Sequence, residues 1–147
     1  MFERLATDAR HIVEAAWEEA QAAGQNAVEA EHLLLALSLK AEIRRLGLDY
    51  DEILAALRAE EEHSLAAVGI DLADYDVPAS FRPSRSARLG GSAKVAIQRA
   101  LTVTAKRSQR RITAPNLLLG VLGAEHGRVP RALRLAGIDV QELRARL

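Results

Sequence analysis

The sequence carries one register twice. "AEHLLLAL" at residues 30–37 is answered by "APNLLLGV" at 114–121, with Leu33-Leu34-Leu35 standing 84 residues ahead of Leu117-Leu118-Leu119. At that offset Leu5 meets Leu89, Ala9 meets Ala93, Arg10 meets Lys94, Val13 meets Ile97, Ala16 meets Ala100, Gln25 meets Gln109 and Val28 meets Ile112, without a gap from Leu5 to Leu39. A repeat of roughly seventy residues cannot bury its apolar face well alone. Two copies are therefore expected to pack on each other with approximate two-fold symmetry, and the groove between them is the natural place for a ligand or peptide.

A second signature follows each copy. "LGLDYDEI" at 46–53 matches "AGIDVQEL" at 136–143, and a third version, "VGIDLADY", occupies 68–75. Each reads as a helix closed by a left-handed glycine (Gly47, Gly69, Gly137) and followed by an aspartate N-cap (Asp49, Asp71, Asp139). The 147 residues are 49% hydrophobic but only 3% aromatic, so the core must come from Ala, Leu, Ile and Val, which suits helices better than sheets.

The expected fold is thus all-α, two four-helix repeats packed as a pseudo-two-fold eight-helix bundle in one domain. Repeat one covers 1–76, a Pro-, Ser-, Gly- and Arg-rich linker 77–91, and repeat two 92–147. The patterning places helices at Thr7–Ala23 (with Thr7 capping), 30–40, 41–46, 50–59, 92–107, 114–124, 130–136 and 140–146. The acidic run at 60–62 reads as a solvated face.

Several functions are set aside by the residues. Twenty basic and twenty acidic side chains balance, so nothing global steers the chain to nucleic acid or membrane. There is no Cys, and hence no thiol chemistry. The charged first twenty residues argue against a signal peptide, and no apolar run approaches the roughly 20 residues that span a bilayer, so a cytoplasmic soluble protein is expected. Glu31 and His32 are neighbours on a helix, so their side chains diverge by about 100° and do not serve one atom. His11, His32, His63 and His126 are scattered without ligand spacing, and no phosphate-binding Gly-x-x-x-x-Gly-Lys loop is present. No catalytic residue, metal or cofactor is expected.

"MFERLATDAR" at the start, "AEHLLLAL" after the first helix, and the "LGLD" and "AGID" junctions resemble the duplicated Clp N-terminal domain that heads ClpC- and ClpA-type AAA+ unfoldases. The resemblance covers nearly the whole chain. It implies a free-standing Clp-repeat protein that binds substrates, adaptors or peptides without catalysis, as a competitor or modulator of an unfoldase N-domain. In some ClpC-type domains the Glu of a Gly-Thr-Glu-His motif helps bind phosphoarginine. Glu31 and His32 match that motif, whereas Glu29-Ala30 replaces Gly-Thr, removing a hydroxyl and adding a charge that repels phosphate. In the second copy Pro115 and Asn116 replace Glu-His. The resemblance also points to Phe2, which matches the family's start, and to Leu5 and Leu89, which stand where the family carries Phe; these three would form an apolar groove. Phe81 in the linker is a further apolar residue that would cover the groove or enter the core.

Simpler roles are open for the same residues: Glu31 as a first-turn acid favoured by the helix dipole, His32 as a surface or packing residue, and Phe2, Leu5 and Leu89 as core caps. The basic stretch "KRSQRR" at 106–111 supports an alternative, a repurposed helical regulator binding nucleic acid through Arg107, Arg110 and Arg111, or a small apolar ligand. No aromatic residue is interleaved there, and an acidic protein surface is the better match.

Overall fold

The computed structural model describes residues 2–69 and 88–147, with Phe2 described by its backbone alone. After a 3-10 turn at Phe2–Arg4, eight α-helices follow among the described residues: α1 (Thr7–Ala22), α2 (Ala30–Ser38), α3 (Ala41–Arg44), α4 (Tyr50–Ala67), α5 (Gly91–Lys106), α6 (Ala114–Leu122), α7 (Arg128–Leu135) and α8 (Val140–Ala145).

The repeat read in the sequence is a repeat in space. α1 buries Ala9, Ile12, Val13, Ala16 and Ala20, and α5 buries the five residues 84 positions on, Ala93, Ala96, Ile97, Ala100 and Thr104. That i, i+3, i+4 stripe lays each long helix on the short apolar helix that follows it, α1 on α2 and α5 on α6. α2 and α6 are buried along almost their full length and form the centre of the core.

Two short backbone pairings lock the halves together. Leu5 bridges Ile112, with Ala6 N–H donating to the Ile112 carbonyl (2.8 Å) and Ile112 N–H to the Arg4 carbonyl (2.7 Å). Val28 bridges Leu89, with Gly90 N–H donating to Val28 (2.8 Å) and Val28 N–H to Arg88 (2.7 Å). The pairs are the same pair under the 84-residue shift, which is the signature of a two-fold axis between the repeats. α4 of the first repeat then packs on α7 of the second.

Gly47, Gly69 and Gly137 close their helices with positive φ, and Asp49 and Asp139 accept first-turn N–H groups as N-caps. Asp71 and Phe81 lie outside the described residues.

Several boundaries differ from expectation, and four of the differences have a cause in the fold. Thr7 is not the cap of α1; that position falls to Ala6, held extended by its hydrogen bond to Ile112. α4 runs on to Ala67 rather than ending at 59, because Glu60 is drawn inward by partners described below. α7 begins at Arg128, two residues early, since Gly127 (φ 108°) turns the chain into the helix and leaves Pro130 in the first turn, where no N–H is missed. Finally, residues 88–90 pair with Val28 and α5 starts at Gly91, so the end of the expected linker is part of the fold.

Candidate functional site

The head of α2 is where the two repeats exchange caps. Glu29, extended at φ −109°, precedes the helix, and its own N–H donates to Nδ1 of His32 at 2.9 Å. An imidazole thus does what Glu or Gln does in the usual capping box. The next N–H, of Ala30, donates to Ser92 Oγ of the other repeat at 2.8 Å. The Ser92 N–H (3.1 Å) and the Ser92 hydroxyl both donate to the Glu29 carboxylate. Gly90 gives that carboxylate its seat, for a Cβ at Gly90 would stand 1.7 Å from Glu29 Oε1. The head of α6 is built by the same exchange: Ala114 N–H donates to Asp8 Oδ2 at 3.1 Å, and Asp8 is the 84-residue counterpart of Ser92.

His32 is buried, at 2% exposure, so of the surface and packing placements it takes the packing one. Because Nδ1 accepts a hydrogen bond, the neutral ring carries its proton on Nε2. Burial holds the imidazole below its usual value near 6.5; the Arg128 charge pushes the same way, and Glu31, Glu29 and Glu19 oppose it.

Glu31 faces a guanidinium from the second repeat. Arg128 Nη1 lies 3.3 Å from Glu31, its Nε 3.4 Å from Glu60 and its Nη2 3.5 Å from Glu61, while Nη2 also donates to the Leu57 carbonyl at 3.2 Å. Arg131 Nε donates to Glu60 at 2.8 Å, and Ser64 Oγ to the same carboxylate at 2.7 Å. The acidic run is therefore not wholly a solvated face: Glu60 is buried, and Glu61 and Glu62 remain exposed. Burial alone would raise the Glu60 carboxyl, but the bonds from Ser64 and Arg131 and the charges of Arg131 and Arg128 carry it below its usual range.

Two cavities flank Glu31. The larger, about 400 Å³, lies at the seam of the repeats, walled by Val95, Val121, Val129 and Pro130 with Arg99 and His126 at its sides. Val95 is among the few exposed large apolar side chains, and Arg99 is half-buried. The smaller, about 270 Å³, lies between α1, α2 and α4 over His32.

The structure does not gather all the expected site residues. Glu31, His32 and the Leu89 backbone belong to the α2 seam, with Leu89 half-buried beside Val28. Leu5 is fully buried beside Ile112 at the symmetry-related seam, in the core. In the basic stretch Lys106, Arg107, Arg110 and Arg111 are all exposed, and Arg107 donates to Asn116 Oδ1 (3.0 Å) and the Leu147 carbonyl (3.0 Å). Among the described residues no group of acidic, His or Cys side chains has the arrangement of a metal site, and no helix is long and apolar enough to cross a membrane.

Sequence reasoning missed Arg128, Arg131, Glu60 and Arg99. Glu60 was detectable, since it continues the buried stripe Ile53, Ala56, Leu57 at helical spacing. Nothing in the linear order couples Arg128 to Glu31.

No family model matches the sequence, and no curated protein sequence is similar to it. Solved structures are similar in fold. The N-terminal domain of the caseinolytic protease associated chaperone ClpD from Arabidopsis thaliana superposes with a TM-score of 0.73 at 19% identity, over 99% of this chain and 95% of that one. The Hsp104 N-terminal domain from Candida albicans gives 0.69 at 16% identity, over 96% and 87%. The chain has the Clp N-terminal-domain fold.

Proposed function

We propose that this chain is a non-enzymatic binding module that takes segments of protein partners, the substrates or adaptors of a Clp-type unfoldase, in the seam between its repeats. The observation that carries the reading is the apolar seam cavity with Val95 exposed at its edge, in a fold shared with the N-terminal domain of a protease-associated chaperone. An apolar concavity edged by a few polar groups is the usual form of such a site. A module of this kind modulates an unfoldase by competing for what its N-domain binds. The test is a fluorescence-anisotropy titration with a labelled unfolded polypeptide and, separately, with a purified Clp-type unfoldase. Saturable binding to either, lost in Val95→Asp with the helical circular dichroism unchanged, is expected. Binding to neither, or binding indifferent to Val95→Asp, overturns the reading.

Phosphoarginine is the narrower ligand, supported by Glu31 on the first turn of α2. It has two competitors within the chain: Arg128 already answers Glu31, and the Glu29 carboxylate covers the Ser92 N–H that a phosphate would use. Calorimetric titration with free phosphoarginine, with Glu31→Ala as control, separates the two ligands. One site per chain, lost in the variant, makes this a reader of a degradation mark; a flat titration leaves the seam to unmodified side chains.

A further inference from the structure

The two repeats treat one position in opposite ways. Arg107 caps the C-terminus of α5 (φ −89°, ψ 5°), and its guanidinium turns back between α5, α6 and α8 to Asn116 Oδ1 and the Leu147 carbonyl, both at 3.0 Å. Its counterpart, Ala23, caps α1 with the same backbone (φ −86°, ψ 2°), and the turn that follows repeats as well: Gly24 and Ser108 both have positive φ, and Gln25 N–H and Gln109 N–H reach back to the carbonyls of Ala20 and Thr104. The backbone is the same, but the side chain that reaches over to Asn116 and Leu147 in repeat two has no counterpart in repeat one. What remains is the cavity of about 270 Å³ between α1, α2 and α4.

The lining of that cavity differs in charge from the surroundings of Arg107. Leu35, Leu54 and Leu57 give an apolar wall, Glu19, Glu31 and Glu61 give carboxylates, and Arg58 and Arg128 give two cations. Arg128 is already shared among Glu31, Glu60 and Glu61. Glu19, which stands where repeat two has Val103, has the Tyr50 hydroxyl as its hydrogen-bond partner (2.8 Å) and no cation within ion-pair distance among the described residues. Where repeat two offers the neutral acceptor Asn116, repeat one has His32, whose Nδ1 is committed to Glu29; the acceptors left for an incoming cation are the carboxylates.

We infer that this cavity is a binding pocket for an unmodified arginine side chain of a protein partner: the guanidinium meets Glu19 and Glu61, and its methylene stem lies on Leu35, Leu54 and Leu57. A guanidinium is the group the fold already seats at the equivalent place, and a planar donor set suits carboxylates better than a point charge does. The pocket lies on the α4 side of Glu31, apart from the seam cavity, and it deepens the binding-module reading on which it rests by naming one side chain of the partner.

The probe is Nα-acetylargininamide, titrated into the intact chain by calorimetry and by backbone amide NMR, with the citrulline analogue as its neutral isostere. Saturable binding at one site, with a Kd in the millimolar range that suits so small a ligand, is expected, with shifts at the amides of residues 19–23 and 54–58. Glu19→Gln weakens it about fivefold, the effect of one partly exposed ion pair. Ala23→Arg supplies the missing side chain from within, abolishes binding and raises the melting temperature. No saturable binding by the native chain, equal binding of the citrulline analogue, or native affinity in Ala23→Arg overturns the inference, and Glu19→Gln decides alone if Ala23→Arg does not fold. Polypeptide binding that depends on Val95 while the probe fails removes this pocket and leaves the seam; failure at the seam leaves the probe titration readable.

Discussion

The heads of α2 and α6 hold equivalent places and are finished with different chemistry. At α6, Thr113 accepts the Asn116 N–H, and the fully buried Asn116 amide is met by Thr104, Gln109 and Arg107, so the polar side chains are answered inside the repeat and the Ala114 N–H reaches across to Asp8. At α2 the same positions are Glu29, Glu31 and His32; His32 accepts from the Glu29 N–H, while Ser92 and Arg128, the partners of the Glu29 and Glu31 carboxylates, come from the other repeat. The helix behind differs too. Ala36 of α2 corresponds to Gly120 of α6, where a Cβ would stand 2.2 Å from the Ala96 carbonyl, so α6 sits closer on α5. A duplicated fold can thus finish one helix head around a neutral buried amide with tight packing. The other half keeps carboxylates at its helix head, and the proposed recognition chemistry is placed there.

The difference can be broken at its charged end first. Glu60→Ala leaves Arg128 and Arg131 facing each other without their shared carboxylate. A fully buried pair broken this way costs about 3–5 kcal/mol, and the partial exposure of both arginines reduces this to about 2–3 kcal/mol. Urea denaturation reads it; a loss below about 1 kcal/mol would mean that the network does not clamp α4 to α7. Because the Glu60 carboxyl is held low, its contribution is complete above the ordinary carboxyl value of 4.5 and fades as pH falls through the folded value, so Glu60→Gln loses part of its acid sensitivity below about pH 4.5.

The packing end comes next. Gly120→Ala drives a methyl into the Ala96 carbonyl and should cost about 2 kcal/mol by overpacking. The reciprocal Ala36→Gly should cost about 1 kcal/mol, from helix propensity. Equal and small effects would show that the two helix pairs are packed alike.

How much of this was legible follows from what a single chain can encode locally. The buried stripes of α1 and α5, the glycine stops at Gly47 and Gly137 and the caps at Asp49 and Asp139 are short-range, and all were readable. The two-fold relation was readable because the register itself repeats. The site was legible only in its α2 residues, Glu31 and His32. Arg128 meets Glu31 across 97 residues, and Ser92 meets Ala30 across 62; nothing in the periodicity of either segment records the meeting. Thr7 misled for the same reason, since the bridge from Ala6 to Ile112 decides where α1 begins.

The exchanged caps allow a direct comparison of the seams. Ser92→Ala removes the acceptor of the Ala30 N–H and one ligand of Glu29, and Asp8→Ala removes the acceptor of the Ala114 N–H. Each should cost about 1 kcal/mol in thermal or urea unfolding, the usual worth of a cap. A Ser92→Ala loss well above that of Asp8→Ala would show that Glu29 contributes through its seat at Gly90 as well as through the cap.

The smallest effect separates the repeats by pH. His32 titrates and Asn116 does not. Protonation would place a hydrogen on Nδ1, facing the Glu29 N–H donor to donor, so the folded state resists the proton. Burial and Arg128 hold its value down against Glu31, Glu29 and Glu19. Near and below 6.5 the unfolded chain therefore binds more protons than the folded one. The His32 contribution is complete above that value and declines as pH falls through the folded value, with a slope bounded by about 1.4 kcal/mol per pH unit for one proton. His32→Asn, which copies repeat two, should flatten the stability profile in that window while leaving the stability at pH 8 slightly lower. An unchanged slope in the variant would place the titrating group elsewhere and remove the one pH-dependent distinction between the two helix heads.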